Sequence, residues 1–268
     1  MEKVKEVALR AAQEAGEVLR KGVGNIKNID YKSAFNVVTD VDKASEALVI
    51  SIIREAFPDD YILAEESGLL ESKDATRRWL IDPLDGTTNF AHSYPFFCVS
   101  IGFEVEGQTR FGVVYNPISD EQFWAERGKG AYLNDRQIKV SQSKSLAVSL
   151  LATGFPPDSQ NAKYNNFEQF VRVTDASHGV RRDASAALDL AFVACGRLDG
   201  YWEMKLAPWD LGAGTLIIEE AGGKLSNLAG GNFDINSGHV VATNGFIHDE
   251  LISLLQLQDL EAPVAQTR

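Results

Sequence analysis

Cysteine is nearly missing from this chain: only Cys98 and Cys195 occur in 268 residues. A disulfide framework needs more cysteines at closer spacing, so both read as buried thiols of a reducing compartment. Histidine is almost as scarce, and His92, His178, His239 and His248 fall without metal-ligand spacing. That excludes a zinc centre of Cys and His ligands, and none of the four reads as a catalytic base. Basic residues are outnumbered, with 26 Lys plus Arg against 38 Asp plus Glu and a net charge of −12. Such a field repels phosphate backbones and argues against a nucleic-acid surface, while an anionic substrate would need bound cations. No apolar run approaches a membrane span, and Met1-Glu2-Lys3-Val4-Lys5-Glu6 lacks the apolar core of a signal peptide. The expectation is a cytoplasmic protein with no membrane partner.

What is present belongs to an ordinary globular chain, 44% hydrophobic and 24% charged, able to bury a core. The length suits one catalytic domain with two lobes, about 1–145 and 146–268, divided near residues 141–147. Val4, Val7, Ala8, Ala11, Ala12, Ala15, Val18 and Leu19 repeat at helical spacing until Gly22 and Gly24. A second helix is predicted from Asp42 to Phe57, with Ala44, Ala47, Leu48 and Ile52 on its apolar face and Pro58 as its stop. Short strands follow at 61–64, 79–81, 98–105 and 111–115, the last two a hairpin separated by Glu106-Gly107-Gln108. Beyond Ser145 strands alternate with helices, predicted near 165–173, 185–195, 210–221 and 247–255.

Chemistry concentrates in Trp79-Leu80-Ile81-Asp82-Pro83-Leu84-Asp85-Gly86-Thr87-Thr88-Asn89-Phe90. An apolar strand runs into two carboxylates three positions apart, and strand ends of α/β sheets are where ligands bind. Two acids on one rigid turn repel each other unless a proton or a cation bridges them, which suits a hard metal ion. Pro83 stiffens the turn, and Gly86 lets a ligand approach the backbone. Amides of Gly86 and Thr87, if they open a helix, would bind an anion; an Asx turn capped by a threonine is the plainer alternative. Glu65 in Ala64-Glu65-Glu66-Ser67 ends an apolar strand as Asp82 does. Asp210 opens a helical stretch, where an aspartate is as often a simple cap.

These runs, with Pro208-Trp209-Asp210 and Glu219-Glu220-Ala221-Gly222-Gly223 downstream, resemble the inositol monophosphatase family in order and spacing, from Asn36-Val37-Val38-Thr39-Asp40 to Val241-Ala242-Thr243-Asn244. The resemblance implies a layered αβαβα sandwich, an α/β fold of the sugar-phosphatase type. It also implies a Mg²⁺-dependent, lithium-sensitive phosphomonoesterase, usually a homodimer, acting on inositol 1-phosphate with two or three ions per site. Carried onto this chain, Glu65, Asp82, the Leu84 carbonyl, Asp85 and Asp210 would be metal ligands. Thr87 and Asp42 would activate the attacking water, with Glu65 steadying it. Asp85, Gly86, Thr87, Ala184, Ser185, Ala186, Glu203 and Asp210 would contact the substrate.

The chain departs from the family where Ala184 replaces a common Gly, and where Lys205, Ala207 and Pro208 line a wall that carries His in animal enzymes. Arg181-Arg182-Asp183 reads as a solvated strand end, with contact to substrate or a dimer partner as the alternative. Lys32 reads as a loop lysine that steers the anion or is merely solvated. Gly128-Lys129-Gly130 and Gly212-Ala213-Gly214 lack the context of a dinucleotide fingerprint, and Trp202 and Trp209 read as packing anchors. Phosphatases for fructose 1,6-bisphosphate, histidinol phosphate or 3′-phosphonucleotides share the scaffold. A haloacid-dehalogenase-type phosphatase is disfavoured because two residues, Pro83 and Leu84, separate the aspartates where its D-x-D-G-T pattern has one. A non-catalytic metal-binding regulatory protein is the remaining alternative.

Overall fold

The computed structural model describes residues 1–33, 36–70, 73–155 and 165–256. Helix α1 (Glu2–Gly22) buries Val4, Val7, Ala8, Ala11, Ala12, Ala15 and Leu19, the predicted stripe with Val18 only half-buried. Strands β1 (Ile29–Ser33) and β2 (Asn36–Thr39) form a small antiparallel pair. The backbone of Lys32 lies in β1, but its side chain falls outside the described residues. Helix α2 (Asp40–Ala56) starts two residues earlier than expected because Thr39 caps it. The Thr39 hydroxyl accepts from the amides of Val41 and Asp42, and Asp42 reaches back to the Thr39 amide.

The inward face of α2 also differs from the expectation: Val41, Asp42, Ser45, Glu46, Val49, Ile52 and Ile53 are buried, whereas Ala44 and Ala47 are exposed. A count of apolar residues missed this face because three of its members are polar and serve the site.

Eight strands follow in one mostly antiparallel sheet: β3 (Asp60–Ala64), β4 (Gly68–Leu70), β5 (Asp74–Asp85), β6 (Cys98–Val105), β7 (Gln108–Asn116), β8 (Glu121–Glu126), β9 (Ala131–Leu133) and β10 (Arg136–Ile138). Their order is β10-β9-β8-β7-β6-β5-β3-β4, with β3 parallel to β5. The predicted hairpin joins β6 to β7, but Gln108 belongs to the strand and not to the turn: Val105 pairs with Gln108 across Glu106-Gly107 alone. A short helix, α3 (Thr87–Ala91), follows β5.

The second sheet runs β12-β11-β13-β15-β14. Its strands are β11 (Leu150–Thr153), β12 (Gly179–Arg181), β13 (Gly200–Met204), β14 (Lys224–Ser226) and β15 (His239–Thr243), interleaved with α4 (Phe167–Ala176), α5 (Ala186–Ala194), α6 (Pro208–Glu220) and α7 (His248–Leu255). The central strand β13 was not anticipated, because a glycine and Glu203 interrupt its apolar run.

Strand side chains alternate between faces, and that alternation sorts the core into three layers. Trp79, Ile81, Val99, Ile101 and Val113 pack under α1 and α2. Val114 and Phe123 of the large sheet meet Tyr201, Val240 and Ala242 of the small one across α5 and α6. Leu151, Trp202 and Val241 face the other way, onto α4 and α7. The result is the αβαβα sandwich. Helix α6 lies backbone-close to the large sheet: a Cβ at Gly112 would stand 2.7 Å from Ala213 Cα, and one at Gly212 would stand 2.6 Å from Leu80 Cδ1. Gly212-Ala213-Gly214 is thus a packing motif.

Candidate active site

The parallel pairing of β3 with β5 places Ala64 beside Ile81, and the Glu65 amide continues it by donating to the Ile81 carbonyl at 3.1 Å. Glu65 therefore leaves its strand next to Asp82. Asp82 pairs with Ser100 and Asp85 with Cys98, so β5 spans three steps where β6 spans two. Residues three apart on a regular strand point to opposite faces; the extra residue of this bulge returns both aspartates to one face. Pro83 and Leu84 occupy the bulge. The Ser45 hydroxyl donates to the Pro83 carbonyl at 2.8 Å, and the Leu84 amide donates to Asp82 Oδ1 at 3.0 Å.

Gly86 then turns the chain with φ 93° and caps α3, so the alternative of a threonine cap does not hold and Thr87 is the first helical residue. A Cβ at Gly86 would stand 3.0 Å from the Phe96 carbonyl oxygen and 3.3 Å from that of Ala184, so the position needs glycine for space as well as for φ. Thr87 Oγ1 lies 3.0 Å from both Asp42 Oδ1 and the Leu84 carbonyl oxygen. Its single proton serves one acceptor at a time. Asp42 spends its other oxygen on its own helix cap, accepting from Thr39 N at 2.8 Å and Thr39 Oγ1 at 2.5 Å.

Asp85 bridges to the second sheet's side of the molecule. Its Oδ2 accepts from Ser185 Oγ and from the Ala187 amide, each at 2.7 Å, at the start of α5. Ala184 holds φ at 62°, the left-handed region that favours glycine. Asp210 is the third residue of α6 and not its cap. Its Oδ2 accepts from the amide of Ala207, the N-cap, with Pro208 at the first helical position.

The acids sense one another. Burial, and then repulsion from Glu65, Asp85 and Asp210, pushes the Asp82 carboxyl well above its usual range. Asp210 is raised by burial, with repulsion from Asp85, Glu65 and Glu203 adding to it. Asp85 and Asp42 are also raised, each chiefly by burial. Glu65, Asp82, Asp85 and Asp210 therefore stand near enough to repel one another, and an all-oxygen set of this kind fits a hard divalent cation. Among the described residues, no three such side chains stand grouped closely enough to hold a metal ion as they are. The donor chemistry fits; a finished coordination cage is not present.

Glu203, on β13, stands near enough to Asp85 to feel its charge. Burial lifts it to about 7, and the Tyr201 hydroxyl donates to it. Ser185 and Ala186 are buried beside Asp85; of the run read as a solvated strand end, Arg181 and Arg182 are exposed but Asp183 is half-buried. Lys205 is exposed, and Ala207 and Pro208 are half-buried at the head of α6. Trp202 is fully buried and donates to Asn166 Oδ1, the expected anchor.

Three residues escaped the sequence reading. Glu46, four positions after Asp42, is buried and accepts from the Glu66 amide at 2.8 Å and from the Ser67 hydroxyl, fixing the turn that carries Glu65. Its helical spacing from Asp42 was the available signal. Asp189, four after Ser185, is buried with Oδ1 lacking a partner among the described residues, and burial raises it well above a normal acid. Asn89 ties α3 to Phe96 and Asp183.

Acids for cations, helix-opening amides for an anion, and a hydroxyl paired with a carboxylate are what a phosphatase needs. The chain matches the model of the inositol monophosphatase family over residues 1–259 and belongs to that family. It is 48% identical to the Inositol-1-monophosphatase of Synechocystis sp. over 251 residues, covering 93% of this chain and 88% of that protein. It is 44% identical to the Nus factor SuhB of Pasteurella multocida, covering 93% and 94%. The inositol monophosphatase of Anabaena (Nostoc) sp. superposes with a TM-score of 0.86 at 49% identity, over 93% of this chain and 94% of that one. The protein is accordingly a phosphatase, of a metal-dependent family that acts on small phosphate esters. No helix among the described residues is long and apolar enough to cross a membrane.

Proposed function

We propose that the protein is a Mg²⁺-dependent phosphomonoesterase that hydrolyses inositol 1-phosphate to inositol and phosphate. The observation that carries this reading is the meeting of Thr87 with Asp42 beside the buried acids of β5. A phosphate monoester is a dianion that repels a nucleophilic water. Glu65, Asp82, the Leu84 carbonyl, Asp85 and Asp210 would hold two or three Mg²⁺ ions, which would supply charge neutralisation and acidify water.

The chain's own groups do the rest. Thr87, donating to Asp42, keeps its lone pairs for the attacking water and orients it in line with the ester bond; Asp42 takes the proton relayed through that hydroxyl. Glu65 steadies the same water. Amides of Gly86 and Thr87 hold the phosphate oxygens. Ala184, Ser185, Ala186 and Glu203 receive the polyol hydroxyls. No covalent phosphoenzyme is expected, because Asp82 and Asp85 would both serve as cation ligands and not as nucleophiles.

A homodimer in the cytoplasm completes the reading; the described thiols, Cys98 and Cys195, are unpaired, as a reducing compartment would keep them. Phosphate release from inositol 1-phosphate, fructose 1,6-bisphosphate, histidinol phosphate and a 3′-phosphonucleotide, with and without Mg²⁺ and Li⁺, is the test. Inositol 1-phosphate is expected to be fastest, with loss of activity on removing Mg²⁺ and inhibition by Li⁺; preference for another ester would overturn the substrate assignment.

The name Nus factor SuhB, carried by several relatives 40–44% identical to this chain, favours a second reading in which a regulatory role accompanies catalysis. Asp85→Asn separates the two: a cellular role that survives in this inactive, folded variant is not catalytic.

A further inference from the structure

The segment Asp183-Ala184-Ser185 crosses the turn from Asp85 to Asn89 and is held there at three points. Ser185 Oγ donates to Asp85 Oδ2 at 2.7 Å, and the Ala184 carbonyl oxygen lies against Gly86. The third point is a side chain with no assigned role. Asn89 Nδ2 donates to the Asp183 carbonyl at 2.7 Å and to the Phe96 carbonyl at 2.7 Å, so both of its protons are committed. Phe96 is itself the residue whose carbonyl crowds Gly86. One amide therefore gathers the two backbones that flank the phosphate turn.

The held segment needs holding. Ala184 sits at φ 62°, a conformation unfavourable for a residue with a Cβ, which persists only where the surroundings enforce it. Helix α5 begins immediately after it, with Ala186 as its first residue and Ser185 as the N-cap. A shift of Asp183 would thus move Ala184, Ser185 and Ala186 together.

We infer that Asn89 is a positioning residue for substrate specificity: it sets the 183–186 segment, and with it the polyol end of the site, at a fixed distance from the phosphate end. The inference rests on the proposed function only for which ester is selected. Asn89 makes no described hydrogen bond to the acids of the metal site or to the Thr87–Asp42 pair, and the held segment reaches Asp85 through Ser185 and the Ala187 amide, so its loss should disturb the polyol end more than phosphate handling.

Asn89→Asp, nearly isosteric but unable to donate from that atom, and Asn89→Ala remove the clamp; Asn89→Ser replaces the latter if it fails to fold. Each is compared with the parent for KM and kcat on inositol 1-phosphate and on 4-nitrophenyl phosphate, which has no polyol. Hydrogen exchange of backbone amides over 183–189 is measured in the ligand-free protein. The expected result is a KM for inositol 1-phosphate raised about tenfold, a KM for 4-nitrophenyl phosphate changed by less than about twofold, and faster exchange at 183–189. Equal changes for both esters, or unchanged exchange, would overturn the inference. If the parent hydrolyses neither ester, the proposed function fails while the exchange result still decides the role of Asn89.

Discussion

Thr87 Oγ1 lies 3.0 Å from Asp42 Oδ1, bringing the first residue of α3 against the first turn of α2 across 45 positions of sequence. The contact depends on an economy in Asp42, whose second oxygen already completes the helix cap with Thr39. Helix start and candidate proton acceptor are the same side chain. Replacing Thr87 by Val keeps the volume and removes the hydroxyl. We expect kcat to fall by about 10²–10³-fold with KM little changed, and Asp42→Asn combined with it to cost little more than either alone. Steady-state kinetics of the two single variants and the double variant check this; additive losses would separate the two residues' roles.

Asp85 should answer to cations. In the parent, Mg²⁺ at a hundred times its dissociation constant should stabilise the fold by about 2.7 kcal/mol, read as a rise in melting temperature. Asp85→Asn retains an oxygen to accept from Ser185 Oγ or the Ala187 amide but loses the charge. Its melting temperature without Mg²⁺ should equal or exceed that of the parent, because one buried carboxylate no longer repels its neighbours. Its response to Mg²⁺ should be largely gone, and calorimetric titration would show the same loss. An undiminished response would remove Asp85 from the ligand set.

Gly112→Ala tests the close approach of α6 to the large sheet. The new methyl would stand 2.7 Å from Ala213 Cα and 2.9 Å from its carbonyl oxygen, both backbone atoms that cannot rotate away. Overpacking of this kind costs about 1–3 kcal/mol. Urea unfolding should show a lower midpoint with an unchanged slope.

His248 gives the fold a limb of acid sensitivity. Buried, with Nδ1 2.9 Å from Thr243 Oγ1 and Nε2 2.9 Å from Ser226 Oγ, it is held to about 4, with burial as the main cause and Lys224 adding repulsion. Folding then favours the neutral ring, whereas the unfolded chain takes a proton near 6.5. Stability contributed by His248 is full above about 6.5 and falls as pH drops towards about 4, by about 2 kcal/mol after allowing for partial solvent screening. His248→Gln should flatten that limb in denaturation curves collected from pH 7 to 4.5; an unchanged slope would place the proton elsewhere.

The stripe of α1, the β6–β7 hairpin and the acids of the Asp82–Thr88 run were legible from local pattern, because period and turn chemistry act over a few residues. The inward face of α2 was not: Asp42, Ser45 and Glu46 interrupt its apolar spacing, and they are buried only because the site needs them there. Strand β13 was hidden for the same reason by Glu203. Asn89 and Asp189 carried no local signal of their function, since each acquires it from a partner or an enclosure supplied by a distant segment.

Residue order alone therefore determined that this chain would build helices and strands of these kinds and bring oxygen donors to the ends of two of the strands. Which donors share a space was decided by tertiary structure. The parallel register of β3 on β5 sets Glu65 beside Asp82, and one extra residue against β6 turns Asp82 and Asp85 to the same side. Both depend on hydrogen bonds between strands, whose partners a linear pattern leaves unspecified.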